Sequence, residues 1–299
     1  MQPTLLVLAA GMGSRYGGLK QVDALGPEGE ALIEYSVFDA IRAGFGKVVF
    51  VIRHSIEQAF KDKIGDRFSD KIIVEYAFQE MDSPIKGIDK FPPREKPWGT
   101  AHAVLVAQDL IQEPFAVINA DDYYGVTGFQ TMADFLRDQC SPKDAAMVAY
   151  QLQNTLSEAG HVNRGVCAVD DQGFLSDVVE RHKIQQTDRG IFYEEDGQQH
   201  TLAKDALVSM NFWGFHPSIF EDIRKGFIQF VATHQEEPKA EYYIPSIVNQ
   251  QIKNDVLHLH VLPDSEQWYG VTYQEDKQKV QTAFKALSAT GTYPSPLWK

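Results

Sequence analysis

The residues that first suggest chemistry lie in LVLAAGMGSRYGGLKQ, Leu6 to Gln21, where an apolar run gives way to Gly11, Gly13, Gly17 and Gly18, with Arg15 and Lys20 among them. Glycines let main-chain N–H groups approach a bound group closely, and successive N–H groups form a concave site for anions. Two cations at the same spot make phosphate the natural guest. Two familiar phosphate loops fail on spacing. A dinucleotide loop needs a third glycine where Tyr16 stands, and an acid after the second strand, where the chain has Arg53 and His54. A P-loop needs lysine directly after its glycine and then Ser or Thr, but Leu19 follows Gly18 and Gln21 follows Lys20. A third arrangement fits: Gly11 and Gly13 admit a triphosphate to the backbone, while Arg15 and Lys20 neutralise it. The bland alternative is a tight turn after a strand with surface cations.

Other polar residues stand where apolar runs end. Asp121 and Asp122 follow FAVIN and Ala120. Hard carboxylate oxygens beside a triphosphate favour Mg²⁺, which keeps several waters. Neighbours on an extended chain point opposite ways, so one of the two would bind the ion; an Asx turn or helix cap is the competing role. Asn211 interrupts the apolar VSMNFWGF. If buried it needs partners, whereas on an edge strand it would simply face water.

These features together resemble the sugar-1-phosphate nucleotidyltransferases, or sugar-nucleotide pyrophosphorylases. LAAGMGSR followed by LKQ, with LIEYS soon after, is similar to that family's opening loop, and weaker matches continue along nearly the whole chain. The resemblance implies that Ala10, Gly11 and Gly13 wrap the nucleotide phosphates, and that Arg15 and Lys20 are catalytic. It implies that Gln79 and the Gly99-Thr100-Ala101 segment read the base, that Asp121 holds Mg²⁺, and that Gly165, Glu180, Arg181 and Asn211 bind the sugar phosphate. The implied reaction moves a nucleotidyl group from a nucleoside triphosphate, UTP or dTTP favoured, to a sugar 1-phosphate, with release of pyrophosphate. One departure stands out. Where the family has a second acidic metal ligand after a Trp-x pair, this chain has Trp268-Tyr269-Gly270. Asp121 with phosphates and water, another acid, or an impaired catalyst would each accommodate that glycine. A cytidylyltransferase acting on a small alcohol phosphate and a non-catalytic sugar-nucleotide sensor are the rival functions.

The elements needed to position these residues are legible in the periodicity. Strands are expected at Thr4–Leu8, Lys47–Ile52, Ile72–Ala77 and Phe115–Asn119, with helices at Leu32–Ala43, closed by Gly44, and Thr100–Asp109. Ser55-Ile56-Glu57-Gln58 has the pattern of a capping box. This alternation predicts a Rossmann-like α/β lobe, a mostly parallel twisted sheet flanked by helices, whose ligands sit at the carboxyl ends of the strands. Glu80 to Pro97 reads as an excursion from the core. After Tyr150 the pattern becomes β-rich, with strands at Gly165–Val169, Phe174–Glu180, Ile191–Glu194 and Leu207–Phe215. Helices from about Ser218 and Tyr243, a strand at Val256–Leu262 and a helix at Gln274–Ala289 complete the chain. The division expected is a nucleotide lobe, 1–153, and a sugar-phosphate lobe, 154–299, sharing one sheet.

Composition narrows the function classes. The chain has 299 residues and a net charge of -13, which argues against a nucleic-acid polymer as partner. Its two cysteines, Cys140 and Cys167, fit no metal spacing and no disulfide framework. The apolar start is too short to span a membrane. A cytoplasmic protein with small phosphorylated substrates is expected, and a homo-oligomer is compatible with the sequence. Removing a preorganised charge from a developing anion costs about 3–4 kcal/mol. Lys20→Ala and Arg15→Ala should therefore each lower turnover about a hundredfold or more with the fold intact. Near-normal turnover in both would refute the phosphate-loop assignment.

Overall fold

A computed structural model describes residues 1–11, 22–65, 67–271 and 273–298. The order is β1 (Thr4–Leu8), α1 (Leu32–Ala43), β2 (Lys47–Ile52), α2 (Glu57–Phe60), β3 (Ile73–Phe78), α3 (Thr100–Leu105), β4 (Phe115–Asn119) and β5 (Asp122–Tyr123). Then come α4 (Val126–Asp138), β6 (Asp144–Gln151), β7 (Val162–Val169), β8 (Leu175–Thr187), β9 (Gly190–Glu195), β10 (Gln198–Leu202) and β11 (Leu207–Phe215). The chain closes with α5 (Ile219–Thr233), α6 (Ile244–Lys253), β12 (His258–Asp264), β13 (Tyr269–Gly270) and α7 (Asp276–Ala289).

Eleven strands form one twisted sheet, ordered β10-β9-β8-β7-β11-β4-β1-β2-β3, with β6 alongside β11 and β12 outside β6. The β3-β2-β1-β4 section is parallel throughout, as expected for strands joined by crossover helices. Strands β1, β2 and β4 read as apolar runs because they are buried on both faces, whereas the edge strand β3 carries Glu75 and leaves Ile73 exposed. The β7-to-β11 region is antiparallel and continues the same sheet. A separate two-stranded ribbon joins β5 to β13, setting Gly270 opposite Asp122.

Local sequence explains most boundaries. Helix α1 opens with the Glu34 carboxylate accepting the Ala31 N–H at 2.8 Å. It stops at Gly44, whose φ of 94° suits a left-handed C-cap. The capping box expected at Ser55 does not form. A 3₁₀ turn, His54–Ile56, precedes α2, and a π-turn, Lys61–Gly65, follows it. Gln58, the residue that would close the box, instead donates its Nε2 to Asp62 Oδ1 at 2.7 Å, and the helix starts one residue late, after Ile56. The predicted Thr100–Asp109 helix ends early at Leu105 and resumes as a 3₁₀ turn over Gln108–Leu110. The periodicity gave no warning of α4, β6 or β10.

The 80–98 excursion is held without regular structure. The buried Trp98 donates its indole N–H to Met81 O at 2.7 Å, and the Arg94 guanidinium lies 3.8 Å over its ring. Arg94 also donates to the Glu237 and Ala240 carbonyls, tying the excursion to the segment after α5. The excursion ends at Gly99, with φ of 97°, where an added Cβ would stand 2.6 Å from the Tyr242 carbonyl oxygen. Positive φ alone costs a non-glycine residue about 1–3 kcal/mol. Gly99→Ala should therefore lose at least that in urea unfolding, whereas a wild-type midpoint would show that Gly99 is not held in this conformation.

Candidate active site

Strand β6 runs along one edge of β11 for most of its length, while β7 and β4 share the other. Strand β7 takes Val208 and Ser209, and β4 takes Trp213 to Phe215. Between them the register shifts, and Asn211 adopts φ of 65°. This bulge parts the sheet, and a cleft of about 720 Å³ opens against it. Ser209, Met210 and Asn211 form part of its wall, with Asn119 at the end of β4, Asp122 at the start of β5 and Tyr243 and Ser246 from the start of α6. The wall therefore meets the carboxyl ends of β1 and β4, where Leu8 is paired with Asn119.

Asn211 is neither an edge-strand surface residue nor simply open to ligand. Its Oδ1 accepts the Trp213 indole N–H at 2.7 Å, and its Nδ2 donates to Asn119 Oδ1 at 2.7 Å. Asn119 Nδ2 in turn donates to Asp122 Oδ2 at 2.9 Å. Indole N–H can only donate, so both amides are forced into the orientation that points an N–H at the carboxylate. The Tyr124 hydroxyl lies 3.3 Å from the same oxygen. Asp122 is buried and lines the cleft; Asp121, assigned the metal by resemblance, is half-buried beside it and is not part of the wall.

Opposite Asp122, Gly270 has no positive φ. A Cβ there would run into the Trp268 ring and stand 2.9 Å from Asp122 Oδ1. The indole occupies the space that a second acid would need. Among the described residues no group of three or more His, Cys, Asp or Glu side chains could hold a metal. Mg²⁺ does not require one, because it often binds through one or two carboxylates with phosphates and water. Asp122 suits that donor set.

Gln79, expected to read the base, is buried just beyond the end of β3 and is not among the residues lining the cleft; its backbone N–H is bonded to Ile52 O. Gln79 Nε2 donates to Gly99 O at 3.0 Å and lies 3.3 Å from His102 Nδ1. A carbonyl can only accept, so the NH₂ must face Gly99 and His102, leaving the amide oxygen as the side chain's remaining group. His102, stacked on Phe227 inside α3, has its pKa lowered to about 3, by burial first and by the charge of Arg94 second. It is therefore a neutral acceptor at Nδ1. Thr100 is the first residue of α3, not its cap; its Oγ1 accepts the Ile244 N–H at 3.1 Å and joins α3 to α6. Ala10 is buried beyond β1 and Gly11 is exposed, whereas Gly13, Arg15 and Lys20 lie outside the described residues.

Gly165 and Glu180, expected at the sugar phosphate, face each other in the β7–β8 pairing and both line the cleft. A Cβ on Gly165 would press on Val178 at 3.0 Å and Ser209 at 3.4 Å, so a side chain there is crowded. Desolvation raises the Glu180 pKa, against the opposing influence of His182 and Arg164. Arg181 turns elsewhere: it pairs with Glu195 and lies 4.7 Å over the Tyr193 ring. Lys183 likewise pairs with Glu194 at 2.7 Å. Both are absent from the described lining. Sequence reasoning did not single out Asn119, His102 or Arg164. A buried His inside an apolar helix turn was the available hint for His102, and the Asn-Arg-Gly-Val run for Arg164.

The model of the nucleotidyl transferase family matches residues 5–276, which spans the loop, the cleft and the β5–β13 ribbon. The chain belongs to that family. The bifunctional protein GlmU of Acetivibrio thermocellus is 26% identical over 188 residues, 62% of this chain and 35% of that one, so the chain spans about a third of that curated relative. Among solved structures, a UDP-glucose pyrophosphorylase complexed with UDP-glucose is 20% identical with TM-score 0.61, covering 96% of this chain and 99% of that one. The inositol-1-phosphate CTP transferase from T. maritima is 9% identical with TM-score 0.64, covering 96% of each chain. At these identities the solved structures show the fold of this nucleotidyl transferase family member.

His102 gives a testable pH dependence. Its folded pKa, about 3, lies below the ordinary value of 6.5, so the unfolded chain takes up the proton first as pH falls. The stability tied to neutral His102 is complete above the unfolded pKa and is lost downwards from it, at up to about 1.4 kcal/mol per pH unit. His102→Leu should flatten the decline in urea stability between pH 7 and pH 5 relative to wild type. Parallel curves for the two proteins would place the acid sensitivity elsewhere.

Proposed function

We propose that the chain transfers a nucleotidyl group from UTP or dTTP to a sugar 1-phosphate and releases pyrophosphate. The observation that carries this reading is the cleft, walled by Asn163, Ser209, Ser246 and Glu180 and ending at the Asp122 carboxylate. Amides, hydroxyls and a carboxylate are the partners a polyhydroxylated ring needs. The acceptor phosphate, with a second pKa of about 6, is already anionic at neutral pH and needs no general base. Its oxygen attacks the α-phosphorus in line while pyrophosphate leaves opposite, so the protein's task is positioning and charge neutralisation. Arg15 and Lys20 supply part of that neutralisation. Mg²⁺, held at Asp122 with phosphate and water ligands, would supply the rest when bound. The oriented Gln79 amide leaves its oxygen to accept an N–H from a base edge, as the ring N–H of uracil or thymine would supply.

The test is a matrix of UTP, dTTP and CTP against glucose 1-phosphate, glycerol 3-phosphate and inositol 1-phosphate, read by pyrophosphate release. Turnover with UTP or dTTP and the sugar phosphate is expected. Turnover confined to CTP and an alcohol phosphate would replace this reading with a cytidylyltransferase, and nucleotide binding without release in any pair would indicate a sensor. Within the active pair, Asp122→Asn should cut turnover about a hundredfold or more, and Asp121→Asn should do less damage. The reverse ranking would move the metal role to Asp121.

A further inference from the structure

With Arg181 and Lys183 engaged by glutamates of β9, one question is what meets the acceptor's phosphate. Among the described residues, Arg164 is the cleft lining's single Arg or Lys. It is 9% exposed, and desolvation lowers its pKa to about 10, with Asp122, Glu180 and Asp276 acting in the opposite sense. No carboxylate among the described residues forms an ion pair with it. Its Nε donates to Thr155 Oγ1 at 3.3 Å, its Nη2 to Thr155 O, and its Nη1 to Asn163 O at 2.8 Å. All three acceptors are neutral. A guanidinium carries five N–H donors, so one N–H remains on each terminal nitrogen, the pair that grips two oxygens of one phosphate. The Trp268 ring lies 5.0 Å beneath the guanidinium, in the space that Gly270 leaves open.

Burying a cation without an ion-pair partner is costly unless an anion arrives to meet it. The cation here is fixed by Thr155, Asn163 and Trp268, and the cleft it lines is open to an anion. We propose that Arg164 is the anchor for the phosphate monoester of the acceptor substrate. The inference rests on the nucleotidyltransfer reading above, but phosphate binding at Arg164 can be measured without turnover.

Arg164→Met keeps the apolar stem and deletes the fork; Arg164→Lys keeps the charge as a single point. In pyrophosphate-release assays with UTP and glucose 1-phosphate, Arg164→Met should raise the acceptor KM at least tenfold while the UTP KM changes less than about threefold. Arg164→Lys should recover part of that loss. Separately, inorganic phosphate should raise the melting temperature of wild type and leave that of Arg164→Met unchanged. If wild type turns over no acceptor but is protected by phosphate through Arg164, the substrate reading fails and the anion site stands. An Arg164→Met protein that folds and keeps the acceptor KM, or keeps phosphate protection, would overturn the proposal. Failure of both variants to fold would assign Arg164 to the structure alone and would also overturn it, as would a wild type with neither turnover nor phosphate protection.

Discussion

The arrangement of the cleft depends on one donor that cannot accept. The Trp213 indole N–H fixes which end of the Asn211 amide faces it, which fixes Asn119, which aims an N–H at Asp122. Every link is between side chains on two adjacent strands of the central sheet, β11 and β4, or just beyond them. The positive φ at Asn211 is what brings its side chain into line, and an asparagine tolerates that conformation better than most residues. The strain of the bulge and the direction of the hydrogen bonds are therefore one feature. It leaves a carboxylate held in a stated orientation at the end of a strand, where a preorganised charge acts without reorganisation.

The same logic operates around Gln79 with different parts. Gly99 O and His102 Nδ1 both take the Gln79 amide by its nitrogen, and the His remains an acceptor because burial keeps it neutral. Thr100 then bonds α6, whose first turn carries Tyr243 and Ser246 at the cleft. Gln79 and the Tyr243–Ser246 wall of the cleft are coupled through a single short helix.

Much of this architecture is legible in the amino-acid sequence. The apolar runs at Thr4–Leu8, Lys47–Ile52 and Phe115–Asn119 and the helix ending at Gly44 have the predicted bounds, because each is a local pattern with a local stop signal. The parallel order of the first strands follows from their alternation with helices. What sequence could not resolve were choices made by distant partners. Asp121 and Asp122 are adjacent acids, and only the pairing with Gly270 and the bonds from Asn119 and Tyr124 distinguish them. Arg164 and Arg181 face each other in the strand register, yet one turns to the cleft wall and the other to Glu195. The capping-box pattern at Ser55 failed because its closing residue, Gln58, bonds Asp62 one turn further on.

Gly270 and Trp268 carry a consequence for how such a sequence can change. A carboxylate at position 270 cannot be added by one substitution, since its Cβ would enter the indole before any gain was felt. Shrinking Trp268 first would remove the ring beneath Arg164 and unsettle the cation it supports. A path to the two-acid arrangement thus crosses an intermediate that has lost one charge partner without having gained the other. To selection, positions 164, 268 and 270 behave as a single locus, and the glycine is locked in by its neighbours.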